Sequence, residues 1–220
     1  MAKHYNPLWI IILLIILIPI ILYLFNLNIY TFDEGFHQKE FSKYNVQGKL
    51  AGYDTKELNR EVMEFFRGGK ELPDFFNDRE KSHLLDVKSL VNWAAKLLLV
   101  LVVLFIILLF ILSFFMKASL KTMKYLAIVF IAGSALTIFL TLFFWQNLKS
   151  NFFGFFTSFH NALFEPGSWT FNPEFEKMVV LYPREFFQDI GVKIASNTLL
   201  MAIVLLIIGV ILLLMFRKKK

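Results

Sequence analysis

No cysteine occurs anywhere in the 220 residues. That absence removes disulfides, zinc-thiolate centres, thiol nucleophiles and cysteine-linked lipid anchors from consideration. There is also no HExxH helix, no GxSxG nucleophile elbow and no glycine-rich phosphate loop, so the common metalloprotease, serine-hydrolase and nucleotide-binding signatures are missing. Neither an internal repeat nor a low-complexity linker interrupts the chain. A further absence is local: three short segments that flank long apolar runs carry no acidic residue at all.

What is present is apolar. Hydrophobic residues make up 57% of the chain and aromatic residues 17%, above the roughly 45 to 50% apolar share of soluble domains. Four runs are long enough to cross a hydrocarbon core, which takes roughly 20 helical residues. They extend from Leu8 to Phe25, Leu97 to Met116, Tyr125 to Trp145 and Ile194 to Phe216. The expected fold is therefore an all-α integral membrane protein, one membrane domain over residues 1–220 with four transmembrane helices. The first run contains Pro19, which a membrane helix tolerates, and lacks the small-residue cleavage site of a signal peptide, so it is read as a retained anchor.

Orientation follows from the short basic segments. Lys3 precedes the first run, Lys117, Lys121 and Lys124 separate the second and third, and Arg217 with Lys218, Lys219 and Lys220 follows the fourth. All 17 acidic residues fall instead within residues 30–96 and 147–193. By the positive-inside rule both termini are expected in the cytoplasm and those two regions on the outer side of the plasma membrane. The formal net charge of +6 is thus a topology signal, explained by lysine and arginine beside anionic lipid, and no nucleic-acid partner is expected.

Residues 30–96 read as helices joined by turns. Asp54 to Glu57 has capping-box spacing, Leu58, Val62 and Phe65/Phe66 recur at helical intervals, and Gly68-Gly69 ends that helix. From Asn77 through Trp93 neither glycine nor proline occurs, so one continuous helix is expected to run into the second span. Residues 147–193 open with Asn151 to Phe164, too aromatic for a solvated loop and too polar for a span, which fits an interfacial or re-entrant segment with helical content. A turn at Glu165-Pro166-Gly167-Ser168 then leads to Trp169.

Four histidines remain as chemistry. His4 lies on the cytoplasmic side, whereas His37, His83 and His160 map to the outer side. His83 at the mouth of the second span and His160 in the aromatic segment can meet at one depth. On a helix, Glu80 and Asp86 flank His83 at three-residue spacing, so either carboxylate can orient the imidazole and raise its basicity as a general base. The competing bland readings are a solvated helix face for His83 and a snorkelling side chain for His160, set against the rule that ionisable groups beside lipid are functional candidates. His37 with Glu40 resembles a helical metal-ligand pair, and with His83, Asp86, His160 and Glu165 supplies enough donors for an imidazole-carboxylate site, though no motif demands one. Among serines, Ser82, Ser158 and Ser168 are the candidate nucleophiles, with Ser168 better read as turn chemistry.

The segments FHQKEFSKY (Phe36 to Tyr44), EKSHLLDV (Glu80 to Val87), Phe159-His160, PGSW (Pro166 to Trp169) and LYPREFFQD (Leu181 to Asp189) resemble the lipoprotein intramolecular transacylase (Lit-type) family. The resemblance implies an acyltransferase acting on a diacylglyceryl-modified lipoprotein: the ester-linked chain at the middle glycerol carbon moves to the amine of the N-terminal cysteine, giving a lyso-form. It also implies a catalytic histidine pair, and the matching positions are His83 and His160. Two histidines suit an ester-to-amide shift without a covalent acyl-enzyme, since donor and acceptor belong to one molecule. Asp86 is expected to orient His83, with Lys81, Tyr44 and Trp169 as further substrate-binding candidates and no cofactor or metal required. Partners are the lipoprotein and membrane lipid, and no oligomeric state is implied. The competing classes are a metal-dependent membrane hydrolase and a non-enzymatic accessory or transporter subunit.

Overall fold

The structure, a computed structural model, describes residues 7–69, 71–116 and 120–217. The residues Lys3, His4, Lys117 and Lys218 to Lys220 lie outside the described residues. Among those described, every regular element is helical: α1 (Leu8–Thr31), α2 (Glu34–Lys43), α3 (Val46–Lys49), α4 (Thr55–Phe66), α5 (Asp78–Phe115), α6 (Leu120–Ser150), α7 (Phe152–Leu163), α8 (Met178–Leu181) and α9 (Arg184–Arg217). Four of them, α1, α5, α6 and α9, are long and apolar enough to cross a membrane. Each is longer than its apolar run, because polar turns extend the helix beyond the hydrophobic stretch.

The caps explain the breaks. Asp33 accepts from the Phe36 amide to start α2, and Asp54 accepts from the amides of Lys56 and Glu57 to start α4, each satisfying donors that a helix N-terminus leaves unpaired. At the head of α5 the pairing is reciprocal: the Glu80 amide donates to Asn77 Oδ1 at 2.9 Å and the Asn77 amide to Glu80 Oε2 at 2.8 Å, a capping box. Past the end of α4, Gly68 takes φ +88°, a left-handed conformation that glycine adopts without steric cost.

Two compact units result. One comprises the chain up to Asn26 with Lys96–Trp145 and the chain from Ile194, and the other Leu27–Ala95 with Gln146–Lys193. The first is built from helix faces in contact: Ile10, Leu14, Ile18, Leu108, Leu112 and Val129 are buried together. Small residues allow the approach, since a Cβ on Gly209 would lie 3.1 Å from the Ile131 backbone nitrogen, the close contact expected between membrane helices. Tyr23 donates to Thr141 at 2.9 Å, and Asn26 donates to Thr198 at 3.1 Å.

The second unit has an aromatic core of Phe41, Val46, Phe66, Phe75, Phe76, Leu181 and Phe186. Its helix α4 buries Leu58, Val62, Met63 and Phe66 on one face and carries the Arg60 pairing with Glu57 and Glu64 on the other.

Candidate functional site

Within the second unit, His83 stands on the second turn of α5 and His160 near the end of α7. Their rings lie 6.4 Å apart, centroid to centroid, at 24° to one another, so residues 77 positions apart in sequence come face to face. Phe164 lies 4.9 Å and Phe171 5.4 Å from the His83 ring, while Phe156 and Trp169 lie 3.9 Å and 4.9 Å from that of His160. An aromatic nest therefore encloses both imidazoles.

The nest sets their protonation. His160 Nδ1 sits 2.7 Å from the Phe156 carbonyl oxygen; because a carbonyl only accepts, Nδ1 carries the proton and the neutral ring keeps its lone pair on Nε2. Burial pushes His160 below the ordinary histidine value, with the Phe156 hydrogen bond opposing. His83 stands on α5 well before the apolar run that begins at Leu97, and burial lowers it to about 4. Repulsion from a charged His160 and from Arg79 adds to that lowering, while Asp86 opposes it. Both rings are thus neutral near pH 7, the form that accepts a proton.

Neither carboxylate predicted to orient His83 holds its Nδ1, which is buried without a hydrogen-bond partner. Glu80 is engaged by the amides of Asn77 and Met178, the latter at 2.6 Å, and Asp86 is exposed, acting on His83 through its charge alone. Lys81 pairs with Asp74 at 3.1 Å. Tyr44 donates to Asp189 at 2.5 Å beside Lys43, in a cluster with the buried Glu40. Of the residues named beside the histidines, only Trp169 reaches the pair, and its indole Nε1 is buried without a partner.

The metal constellation does not assemble. His37 Nδ1 lies 3.0 Å from Asn59 Oδ1 and its Nε2 2.9 Å from the Tyr30 carbonyl, and Tyr182 donates to the same Asn59 oxygen. Among the described residues no three histidines and acids group as a metal site would require. Both nitrogens of the buried His37 ring thus face oxygen atoms of the second unit's core, and a neutral ring donates to one of them. Ser168 Oγ donates to the Glu165 carbonyl, as turn chemistry requires.

Sequence reasoning passed over Arg79. Its guanidinium donates to the carbonyl oxygens of Gly167, at 2.8 Å, and Thr170, pairs with Glu176 at 2.5 Å, and lies 4.7 Å from the centre of the Phe171 ring. No local signal marks it, because all its partners lie about 90 residues downstream.

Four membrane-length helices define a polytopic membrane protein, and its second unit brings two imidazoles into one aromatic nest. Residues 10–187 match the family model described as lipoprotein intramolecular transacylase Lit, and the chain belongs to that family. A protein of Aquifex aeolicus (strain VF5), described as "Uncharacterized protein", is 26% identical over 194 residues, 82% of this chain and 84% of that one. The membrane-integral lipoprotein intramolecular transacylase Lit from Bacillus cereus has the same fold, with a TM-score of 0.83 at 18% identity over 97% of this chain and 98% of that chain. Its histidine-to-arginine variant matches with a TM-score of 0.78 at 18% identity, covering 97% of this chain and 95% of that one. The histidine-to-alanine variant matches at 0.79 and 18% identity, covering 97% and 96%.

Proposed function

We propose that this chain is a lipoprotein intramolecular transacylase in which His83 and His160 act as the acid-base pair. The observation that carries the reading is the pair itself: two neutral imidazoles 6.4 Å apart in a chain of the transacylase family. The substrate is a diacylglyceryl-modified lipoprotein. Its cysteine amine attacks the ester carbonyl at the middle glycerol carbon, a nitrogen-carbon bond forms, and the carbon-oxygen bond to glycerol breaks. The proton leaves the amine and ends on the glycerol oxygen, so the reaction is an isomerisation that consumes no water or co-reactant.

His160 suits the role of base, since its Nδ1 is committed to the Phe156 carbonyl and Nε2 is left to accept. The imidazolium so formed on His160 returns that proton to the departing glycerol oxygen, directly or by way of the neutral His83 ring beside it. Because amine and ester belong to one molecule, proximity replaces an acyl-enzyme. Trp169 is placed to contact substrate beside His160; Tyr44, Lys81 and Asp86 serve, at most, at a distance from the pair. The basic residues Lys121 and Lys124 support a reading with the termini in the cytoplasm and the histidines outside, where lipidated proteins are matured.

Mass spectrometry of a lipoprotein N-terminal peptide tests this, in a strain lacking its own transacylase and expressing the chain or its His83→Ala or His160→Ala variant. The lyso-form is expected with the unmutated chain alone. Its absence despite good membrane expression would sink the reading.

A further inference from the structure

The residues that wall the histidine pair come from a stretch with little regular structure, between α7 and α8, and something must hold that stretch in place. Residues 164 to 176 supply Phe164, Trp169 and Phe171, yet among them no helix supplies a hydrogen-bond ladder. Gly167 takes φ +86°, which fixes one turn but not where the segment sits. Two neighbouring side chains at the head of α5 reach across to it. Glu80 receives the Met178 amide just past its end, and Arg79 grips its interior.

We propose that Arg79 is a positioning residue for the transfer reaction: its guanidinium, joined to the Gly167 and Thr170 carbonyls and the Glu176 carboxylate, holds Trp169 and Phe171 against His83 and His160. The inference rests on the transacylase reading and extends it to a residue one helical turn from His83. Three features support it. Gly167 and Thr170 bracket Trp169, so clamping both carbonyls fixes the backbone on either side of the indole. The Arg79 cation also lies 4.7 Å from the Phe171 ring centroid, and that ring is the one 5.4 Å from His83. Glu176, buried and accepting the Asn172 amide at 2.6 Å, ties the far end of the stretch to the same guanidinium.

The planar fork matters more than the charge. Serving two carbonyls and a carboxylate at once takes several donors in fixed directions, which an ammonium on a flexible stem does not offer. Arg79→Lys is therefore expected to behave like Arg79→Gln, with Glu176→Gln as the milder lesion should both arginine variants fold poorly.

Two readouts on the full-length protein in detergent decide the matter. The first is turnover of a lipoprotein substrate per folded molecule, where loss of positioning lowers kcat by about 100-fold and leaves KM within a few fold. The second needs no activity: the emission of Trp169, taken as the difference between each protein and its Trp169→Phe version, is quenched as the neighbouring His160 protonates on acidification. That quench is expected in the unmutated chain and lost or weakened in Arg79→Gln and Glu176→Gln. A quench that survives unchanged in both variants, with unchanged kcat, overturns the proposal. Failure of every protein to turn over substrate would instead count against the transacylase reading, while the quench would still decide where Arg79 places the loop.

Discussion

The two units of this chain are built inside out relative to one another. In the first, large apolar side chains are on the outside, with Phe110 71% and Phe139 67% exposed, while Ser134, Thr137, Thr141, Thr198 and Asn26 are buried. In the second, Phe76, Val46 and Leu181 are buried, and the acids that are buried with them, Glu40, Glu80 and Glu176, are few. The difference identifies the solvent of each. Lipid offers an apolar side chain as much as a protein interior does, so the first unit is held by close backbone approach and small polar contacts. Water does not, so the second gains from burying phenylalanines. Chemistry follows the same division: among the described residues the histidines, His37, His83 and His160, all belong to the second unit.

The largest effect that would sharpen this comparison separates chemistry from stability. His83→Ala and His160→Ala are each expected to cut lyso-form production by about 10² to 10⁴-fold, with thermal unfolding in detergent changed far less; substitutions in the first unit should do the reverse. Gly209→Leu is such a case. Its side chain would press on the Ile131 backbone, and overpacking of about 1–3 kcal/mol should appear as a lower Tm with normal activity per folded molecule. If Gly209→Leu were silent, close helix approach would not be what holds that unit.

Glu80→Ala in the second unit is expected to cost about 2 kcal/mol, because the Met178 amide loses its acceptor in the interior and the α5 capping box is lost. Chemical denaturation should show it, and an unchanged midpoint would refute the clamp. A pH dependence comes next. The folded-state value of His83 near 4 lies below its ordinary 6.5, so the folded chain binds fewer protons than the unfolded one between them. Its contribution is therefore complete above about pH 6.5, falls as pH drops toward 4 and levels off below. The Tm difference between the unmutated chain and His83→Phe should narrow over that window, and a constant difference would contradict the burial of a neutral ring. Smallest of all, Thr141→Val removes the acceptor of Tyr23 at an expected cost of about 0.6 kcal/mol, measured by unfolding in detergent; a cost several times larger would mean that hydrogen bonds, not packing, hold the membrane helices.

Much of this was legible in the residues, and for a reason that separates local from distant information. Apolar runs of membrane length, the Asp54 cap, the glycine stop at Gly68 and the turn at Ser168 each depend on neighbours within a few positions, and each was found where the pattern put it. The family was readable because its motifs are contiguous strings. Ligand and partner assignments fared differently. His37 and Glu40 have metal-like spacing, but Asn59 and the Tyr30 carbonyl claim the nitrogens of the His37 ring. Asp86 has orienting spacing, yet it is exposed on its helix while the His83 ring turns inward.

By itself the sequence determined the class of solvent around each segment, the number of membrane-length helices and the apolar stretch of each, since hydrophobic composition acts along the chain. Only the tertiary structure decided that His83 and His160 share one aromatic nest, that Tyr44 joins Asp189 instead, and that Arg79 reaches the loop around Trp169. Those contacts join residues roughly 80 to 150 positions apart, where spacing carries no information and packing alone selects the partner.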